Sequence, residues 1–148
     1  MRISAKGRYA LAAITVIASK QQSGANTTVG SVSEELGLSK IYLEQVFAQL
    51  KKAGILVSVK GPKGGYSLAR PATKITAWDV LSVLEISFTE QAEETAGTND
   101  AGMEIALKAL VYDAVDEALK DTLSKVTAAD LADGTERQRY EQSYMMGL

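Results

Sequence analysis

The chain has 148 residues, 46% of them hydrophobic, which suits one domain with an ample core, or a small domain carrying an appended dimerisation element. It contains no cysteine and no histidine, so disulfides, thiolate chemistry, the usual general base and the commonest nitrogen ligand of transition metals are all excluded. The formal net charge of −2 hides a division: residues 1–75 hold 11 basic and 3 acidic side chains, and residues 76–148 hold 5 basic and 15 acidic ones. A polyanion meets the local field rather than the sum, so a basic half joined to an acidic half points to nucleic acid. The plain alternative is that the two halves attract one another.

In chain order, the first predicted element is a helix over residues 3–20, with Leu11, Ile14 and Ile17 on one apolar face. Arg2, Lys6 and Arg8 crowd its first turn, where the helix dipole disfavours cations. That local cost suggests an external anion, against the simpler reading of surface solubility. A polar turn over 21–27 leads to a second helix over 28–36, with Thr28 as N-cap and Val29, Val32 and Leu36 apolar, broken at Gly37. Ser39 caps a third helix over 40–53, whose Leu43, Val46, Phe47 and Leu50 fall on one face. The opposite face carries Ile41, Glu44, Gln45, Ala48 and Lys52, with Lys40 and Tyr42 at its shoulders. These residue types suit base edges: Gln reads adenine, Glu accepts from cytosine N4, and an outward Ile meets a thymine methyl.

Gly54 ends that helix. The apolar runs Ile55–Val59 and Tyr66–Ala69 then flank Lys60-Gly61-Pro62-Lys63-Gly64-Gly65, a tight hairpin tip with two lysines. Two angled helices followed by such a hairpin read as a winged helix-turn-helix, mainly α with a small β wing. A nucleotide-binding loop would need Walker spacing and a following helix, and both are missing. Beyond Pro71, Thr76-Ala77-Trp78-Asp79 is a capping box opening a helix to about Glu85.

Residues 86–102 read as a long acidic loop. From Met103 to about Leu123 comes the longest helix, apolar at Met103, Leu107, Leu110, Val111, Ala114, Ala118 and Leu119 and widened by Ala106, Val115 and Leu123. So broad an apolar surface must bury against more than one neighbour, which makes a homodimer the expectation. Thr127-Ala128-Ala129-Asp130 is a second capping box, read as opening a short turn that carries Leu131. The remainder, 133–148, reads as a polar tail with an apolar end, Tyr144–Leu148, that docks back or binds something. No apolar run approaches the roughly 18 residues of a membrane span, and no secretory pattern opens the chain, so a cytoplasmic address is expected.

Three stretches carry a family resemblance. Met1–Leu11, Leu38–Phe47 and Val59–Tyr66 resemble the Rrf-type family of bacterial regulators, which includes the iron–sulfur-cluster regulator, the nitric-oxide-sensing repressor and the cysteine-metabolism repressor. The resemblance is close over 1–85 and holds by pattern over 103–132. It implies a dimeric winged-helix repressor or activator, a repressor being expected, on a partly palindromic operator in double-stranded DNA. It assigns DNA reading to Ser39, Tyr42, Glu44 and Gln45, a wing contact to Lys60, and phosphate contacts to Lys6, Gly7 and Tyr9. The reading of the residues adds Arg2, Arg8, Thr28, Lys40, Ile41, Gly61, Pro62, Lys63 and Gly64 to the DNA surface.

Many members hold an iron–sulfur cluster on three cysteines in the 86–102 region. This chain has none, so the resemblance implies no cofactor and no metal. It lies nearest in kind to the cluster-free branch that controls cysteine or sulfur metabolism, with a metabolic enzyme or a small-molecule effector bringing the signal. Glu90, Glu93, Glu94, Asn99, Asp100 and Glu104 stand in the cluster region instead; a solvated acidic loop is the plainer reading of them than a hard-cation site. The competing function is a winged-helix module that binds protein. An enzyme is disfavoured, because no base, nucleophile or ligand cluster converges.

Overall fold

Helix α1 (Ala5–Gln22) is the element against which the helices Val29–Leu36, Lys40–Lys52, Ala77–Leu84 and Ala128–Met145 and the strand Gly65–Leu68 pack, while the helix Asp113–Ser124 packs on Ala77–Leu84. Its buried side is built largely of small residues, Gly7, Ala10, Ala13 and Ala18, interleaved with Ile14, Val16 and Ile17. Small side chains let neighbouring helices approach closely, while the isoleucines fill the spaces between them. Ser4 is the N-cap and accepts the Gly7 N–H at 3.1 Å, so the helix starts and ends two residues later than its periodicity predicts. The computed structural model describes residues 3–95 and 99–147; Arg2 lies outside them.

Helices α2 (Val29–Leu36) and α3 (Lys40–Lys52) have the expected N-caps, Thr28 and Ser39. They are joined at Gly37, whose φ of 66° turns the chain through the left-handed region. Strands β1 (Leu56–Val59) and β2 (Gly65–Leu68) pair antiparallel, with Leu56 opposite Leu68 and Val59 opposite Gly65. The hairpin does not stand alone. Tyr66 exchanges two backbone hydrogen bonds with Thr27, at 2.7 and 3.0 Å, which anchors β2 to the residue just before the α2 cap. A Cβ on Gly65 would collide with the Thr27 backbone. Glycine is needed there for close approach as well as for its φ of 133°.

Helix α4 (Ala77–Leu84) opens with the expected Thr76–Asp79 capping box. The segment after it contains a short 3₁₀ turn, Ile86–Phe88, whose Phe88 stacks on Trp78 with ring centroids 6.1 Å apart. The long helix expected over 103–123 is divided: α5 (Ala101–Leu107), a π-turn (Lys108–Tyr112) and α6 (Asp113–Ser124). Periodicity alone could not show this, because the apolar residues there satisfy an unbroken helix equally well.

A larger correction concerns 133–148. It is no tail: the Thr127–Asp130 capping box opens an eighteen-residue helix, α7 (Ala128–Met145), in place of a short turn. Gly134 and the polar run after it hid the helix, since propensity is a weak signal where tertiary packing decides. Ala128 and Ala132 are buried where α7 packs on α1. Its far end does not dock back, for Tyr140, Tyr144, Met145 and Met146 are exposed. The Thr76 and Thr127 caps lie side by side in an antiparallel bridge, Ala77 N–H to the Val126 carbonyl and Ala128 N–H to the Ile75 carbonyl, each at 2.8 Å. The starts of α4 and α7 are thereby fixed to one another.

The N-terminus of α1 is held by Glu85 at the end of α4. Its buried Oε1 accepts the Ser4 N–H at 2.7 Å and the Ser4 hydroxyl at 2.6 Å. An internal carboxylate thus stands at the positive helix end, where the first-turn cations had suggested an external anion. A Cβ on Gly7 would run into that Oε1 and crowd Ile3 and Leu81. Gly7→Ala should therefore cost about 1–3 kcal/mol, the range for overpacking a filled site. Urea unfolding checks this, and an unchanged midpoint would show that α1 and α4 have slack.

Candidate nucleic-acid interface

Helix α3 buries Leu43, Val46, Phe47 and Leu50 and leaves Lys40, Ile41, Glu44, Gln45, Ala48 and Lys52 exposed, as the helical wheel predicts. Ile41 is 73% exposed, which places an apolar side chain at the outer surface near the helix N-terminus. Two ring contacts set how α3 is presented. From beneath, Phe47 meets the wing residue Tyr66 edge-on at 4.9 Å. At the shoulder, half-buried Tyr42 meets Tyr9 of α1 edge-on at 5.5 Å. Such pairs add about 0.5–1.5 kcal/mol beyond area burial. Their larger effect is to set the angle among α1, α3 and the wing.

At the wing tip, Lys60, Gly61, Pro62 and Lys63 are exposed. Gly61 has φ 106°, and a Cβ on half-buried Gly64 would strike the Val59 and Gly61 carbonyls, so the tip is a tight backbone turn that only glycine permits at those points. The Asn26 amide donates to the Lys63 carbonyl at 3.0 Å and ties the tip to the segment ahead of α2. Asn26, like the Thr27–Tyr66 pairing, escaped the sequence reading. It lies 37 residues from its partner in an unpatterned polar turn, and no local signal marks it.

The other candidate residues divide clearly. Lys6 is half-buried and Arg8 exposed. Thr28 and Ser39 are exposed and employed as caps, their oxygens accepting the Ser31 and Tyr42 N–H groups. Gly7 is a correction: it is buried, its N–H goes to Ser4, and its surroundings are Glu85, Ile3 and Leu81. It is a packing residue, and the structure offers it no route to a phosphate.

The electrostatics are uneven. Of the basic side chains in the first half, Lys20 pairs with Glu35 at 3.8 Å and Arg70 with Asp79 at 3.2 Å. Among the described residues, Lys6, Arg8, Lys40, Lys51, Lys52, Lys60, Lys63 and Lys74 have no carboxylate within ion-pair distance. Cations left unpaired around one helix face and one hairpin make a footprint for a polyanion.

Residues 3–134 match the Rrf2 family model, described as "Iron-dependent Transcriptional regulator". The chain belongs to the Rrf2 family. It is 35% identical over 136 residues to the HTH-type transcriptional regulator IscR of Cronobacter sakazakii, spanning 92% of this chain and 83% of that one. Among solved structures it is similar to CymR (YrzC), the global cysteine regulator of B. subtilis, with a TM-score of 0.72 and 32% identity over 90% of this chain and 97% of that one. It is also similar to T. potens IscR, with a TM-score of 0.74 and 31% identity over 99% and 96% of the two chains. The protein is therefore a winged-helix transcriptional regulator that binds DNA, in a family that is not enzymatic.

The description of the Rrf2 family raises the question of iron. The donor chemistry of this chain does not fit a cluster. It has no cysteine and no histidine at any position, and among the described residues no three potential ligands converge.

On the expectation that Lys6, Lys60 and Lys63 contact phosphate, replacing them together by alanine should weaken binding to all DNA sequences alike. The slope of log K against log salt should flatten by about 0.9 for every phosphate that is no longer neutralised. Titrations at several salt concentrations measure it; an unchanged slope in the triple variant would refute the assignment.

Proposed function

We propose that this Rrf2-family regulator acts as a homodimeric repressor on a partly palindromic operator, without an iron–sulfur cluster, in the control of cysteine or sulfur metabolism. One observation carries the DNA mode: the exposed polar face of α3 and the wing tip are flanked by cations that no carboxylate of the described chain neutralises. In this reading α3 enters the major groove, Lys60 and Lys63 meet the adjacent backbone, and a two-fold dimer presents two such units to two half-sites. Similarity to the cysteine regulator CymR, together with the missing thiolates, supports the pathway and the cluster-free state.

The dimer is supported by α5 to α6. Met103, Leu110, Val111, Ala114 and Ala118 are exposed in the single chain, and Leu107 is half-buried. An apolar helix stripe of that extent is covered by a second copy more readily than by water. The signal, from a metabolic enzyme or a small molecule, is proposed to act near a cavity of about 340 Å³. That cavity lies between residues 91–94 and the π-turn and is lined by Glu93, Glu94, Ile105, Lys108, Tyr112 and Asp113.

Footprinting on the promoter of the chain's own gene tests the operator. Glu44 carries negative charge toward a phosphate-lined groove and is best satisfied by a cytosine N4 donor. Glu44→Ala should relax preference at one base pair per half-site; a uniform loss of affinity with base preference intact would make Glu44 structural.

A purified sample should be colourless and contain no iron or labile sulfide. Leu107→Asp with Leu110→Asp should abolish the dimer by burying unpaired charge in it and leave only weak half-site binding. Stoichiometric iron with a visible absorption band would overturn the cluster-free reading. A double variant still dimeric in sedimentation would overturn the interface.

A further inference from the structure

The π-turn and the apolar stripe it interrupts make incompatible demands on one helix. At about 100° per residue in an α-helix, Met103, Leu107, Leu110, Val111, Ala114 and Ala118 fall within an arc of about 100°. An unbroken α-helix would therefore present them as one continuous stripe, with Met103, Leu107, Leu110 and Ala114 at the four-three-four spacing of a helix–helix seam. The structure holds a different alignment. Beyond the cavity-facing residues Glu104 and Tyr112, the half-buried positions of α5 and α6 are Leu107, Leu119 and Leu123, and α6 packs on α4.

In an unbroken helix Leu119 and Leu123 stand about 120° and 160° away from Leu107. A π-turn absorbs one extra residue and brings those angles to about 20° and 60°. All three leucines then share the inward side, and Ala114 and Ala118 rotate away from Met103. One register serves the protomer's own body; the other serves a partner.

A side-chain contact marks the π register. Lys108 Nζ bonds both carboxylate oxygens of Asp113 at 2.9 Å, while the Asp113 N–H donates to the Lys108 carbonyl. Five residues apart, the two side chains would lie about 140° apart around an α-helix and could not meet. They pair because of the π-turn, and their pairing favours it. Both side chains also line the cavity beside residues 91–94.

We infer that the helix from Ala101 to Ser124 is a two-register switch: a π register, latched by Lys108 and Asp113, that turns Leu107 inward, and an unbroken α register that presents the full stripe to a second copy of this chain. The inference rests on the dimer reading above and adds to it how dimerisation is regulated. Since the latch is more than half exposed, it biases the balance by a small factor rather than locking it. A small bias suits an element meant to move.

The dimer dissociation constant of the full chain, measured by sedimentation, tests the switch. Asp113→Ala opens the latch and should tighten the dimer about two- to fivefold. Deleting Ala109 places Leu107, Leu119 and Leu123 together within an unbroken α-helix, keeps Lys108 and the carboxylate four residues apart, and splits the stripe. That variant should weaken the dimer by at least about tenfold. A deletion variant that dimerises as tightly as wild type, or a loosened Asp113→Ala dimer, overturns the switch.

If circular dichroism shows that the deletion variant does not fold, the charge-exchanged pair decides. Asp113→Lys alone should tighten the dimer, and adding Lys108→Asp should restore the wild-type constant; three equal constants overturn the switch. Leu107→Asp with Leu110→Asp separates the two ideas. A persistent dimer rejects the interface itself, whereas loss of the dimer with register variants at the wild-type value rejects the switch alone.

Discussion

The close packing around α1 is the constraint on which the rest of this protein depends. Its small buried residues bring α3, α4, α7 and β2 against one helix, so α3, the wing and α7 are all positioned relative to the same body. Glu85 sets where that body begins. One carboxylate oxygen takes the Ser4 N–H and hydroxyl while occupying the space that a side chain at Gly7 would need. A buried polar group of this kind is tolerable only when its partners are in place. Here they belong to the α1 cap, so the end of α4 and the start of α1 cannot shift independently.

A second layer of positioning joins α3 to the wing. Phe47 against Tyr66, Tyr66 against Thr27 and Asn26 against Lys63 form a chain of interactions from the buried face of α3 to the tip of the hairpin. Charged groups on a loose hairpin would lose entropy on binding any partner; a hairpin already tied to the residues ahead of α2 loses less. The unpaired lysines are thus carried on a braced frame. The acidic surplus lies in the second half of the chain, where it leaves the first-half cations available to a polyanion.

Much of this was legible in the sequence because the signals were local. Thr28, Ser39 and Thr76 act as caps where the pattern places them, Gly37 turns the chain, and the 3.6-residue period separates the buried from the exposed side of α3. What escaped was non-local or ambiguous. Asn26 and Glu85 act on partners 37 and 81 residues away, and a lone polar residue gives no hint of so distant an interaction. Gly7 sits among cations in a basic stretch and reads as part of a phosphate site, whereas its role is to make room for Glu85. In α7, the capping box announced a helix start, but Gly134 and a polar sequence concealed how far the helix runs. The π-turn is the deepest case: the same apolar residues satisfy two registers, so pattern alone selects the wrong one for the isolated protomer.

These features bear on how a change in the acidic second half would reach the basic first half. The direct link is electrostatic: Arg139 of α7 and Lys20 of α1 both approach Glu35 of α2, each at 3.8 Å. All three side chains are at least a third exposed, and exposed pairs of that kind contribute between nothing and about 1 kcal/mol. They are too weak to carry a conformational signal. The packed route is stronger, because Ala128 and Ala132 are buried where α7 meets α1, and the Thr76–Thr127 bridge fixes α7 to α4. A displacement of α6 would be passed to α4 by direct packing, and from there through Glu85 to the start of α1. Close-packed interiors transmit such shifts rather than absorbing them, so the route from the second half to α3 runs through packed small residues and one buried carboxylate, with the surface ion pairs following.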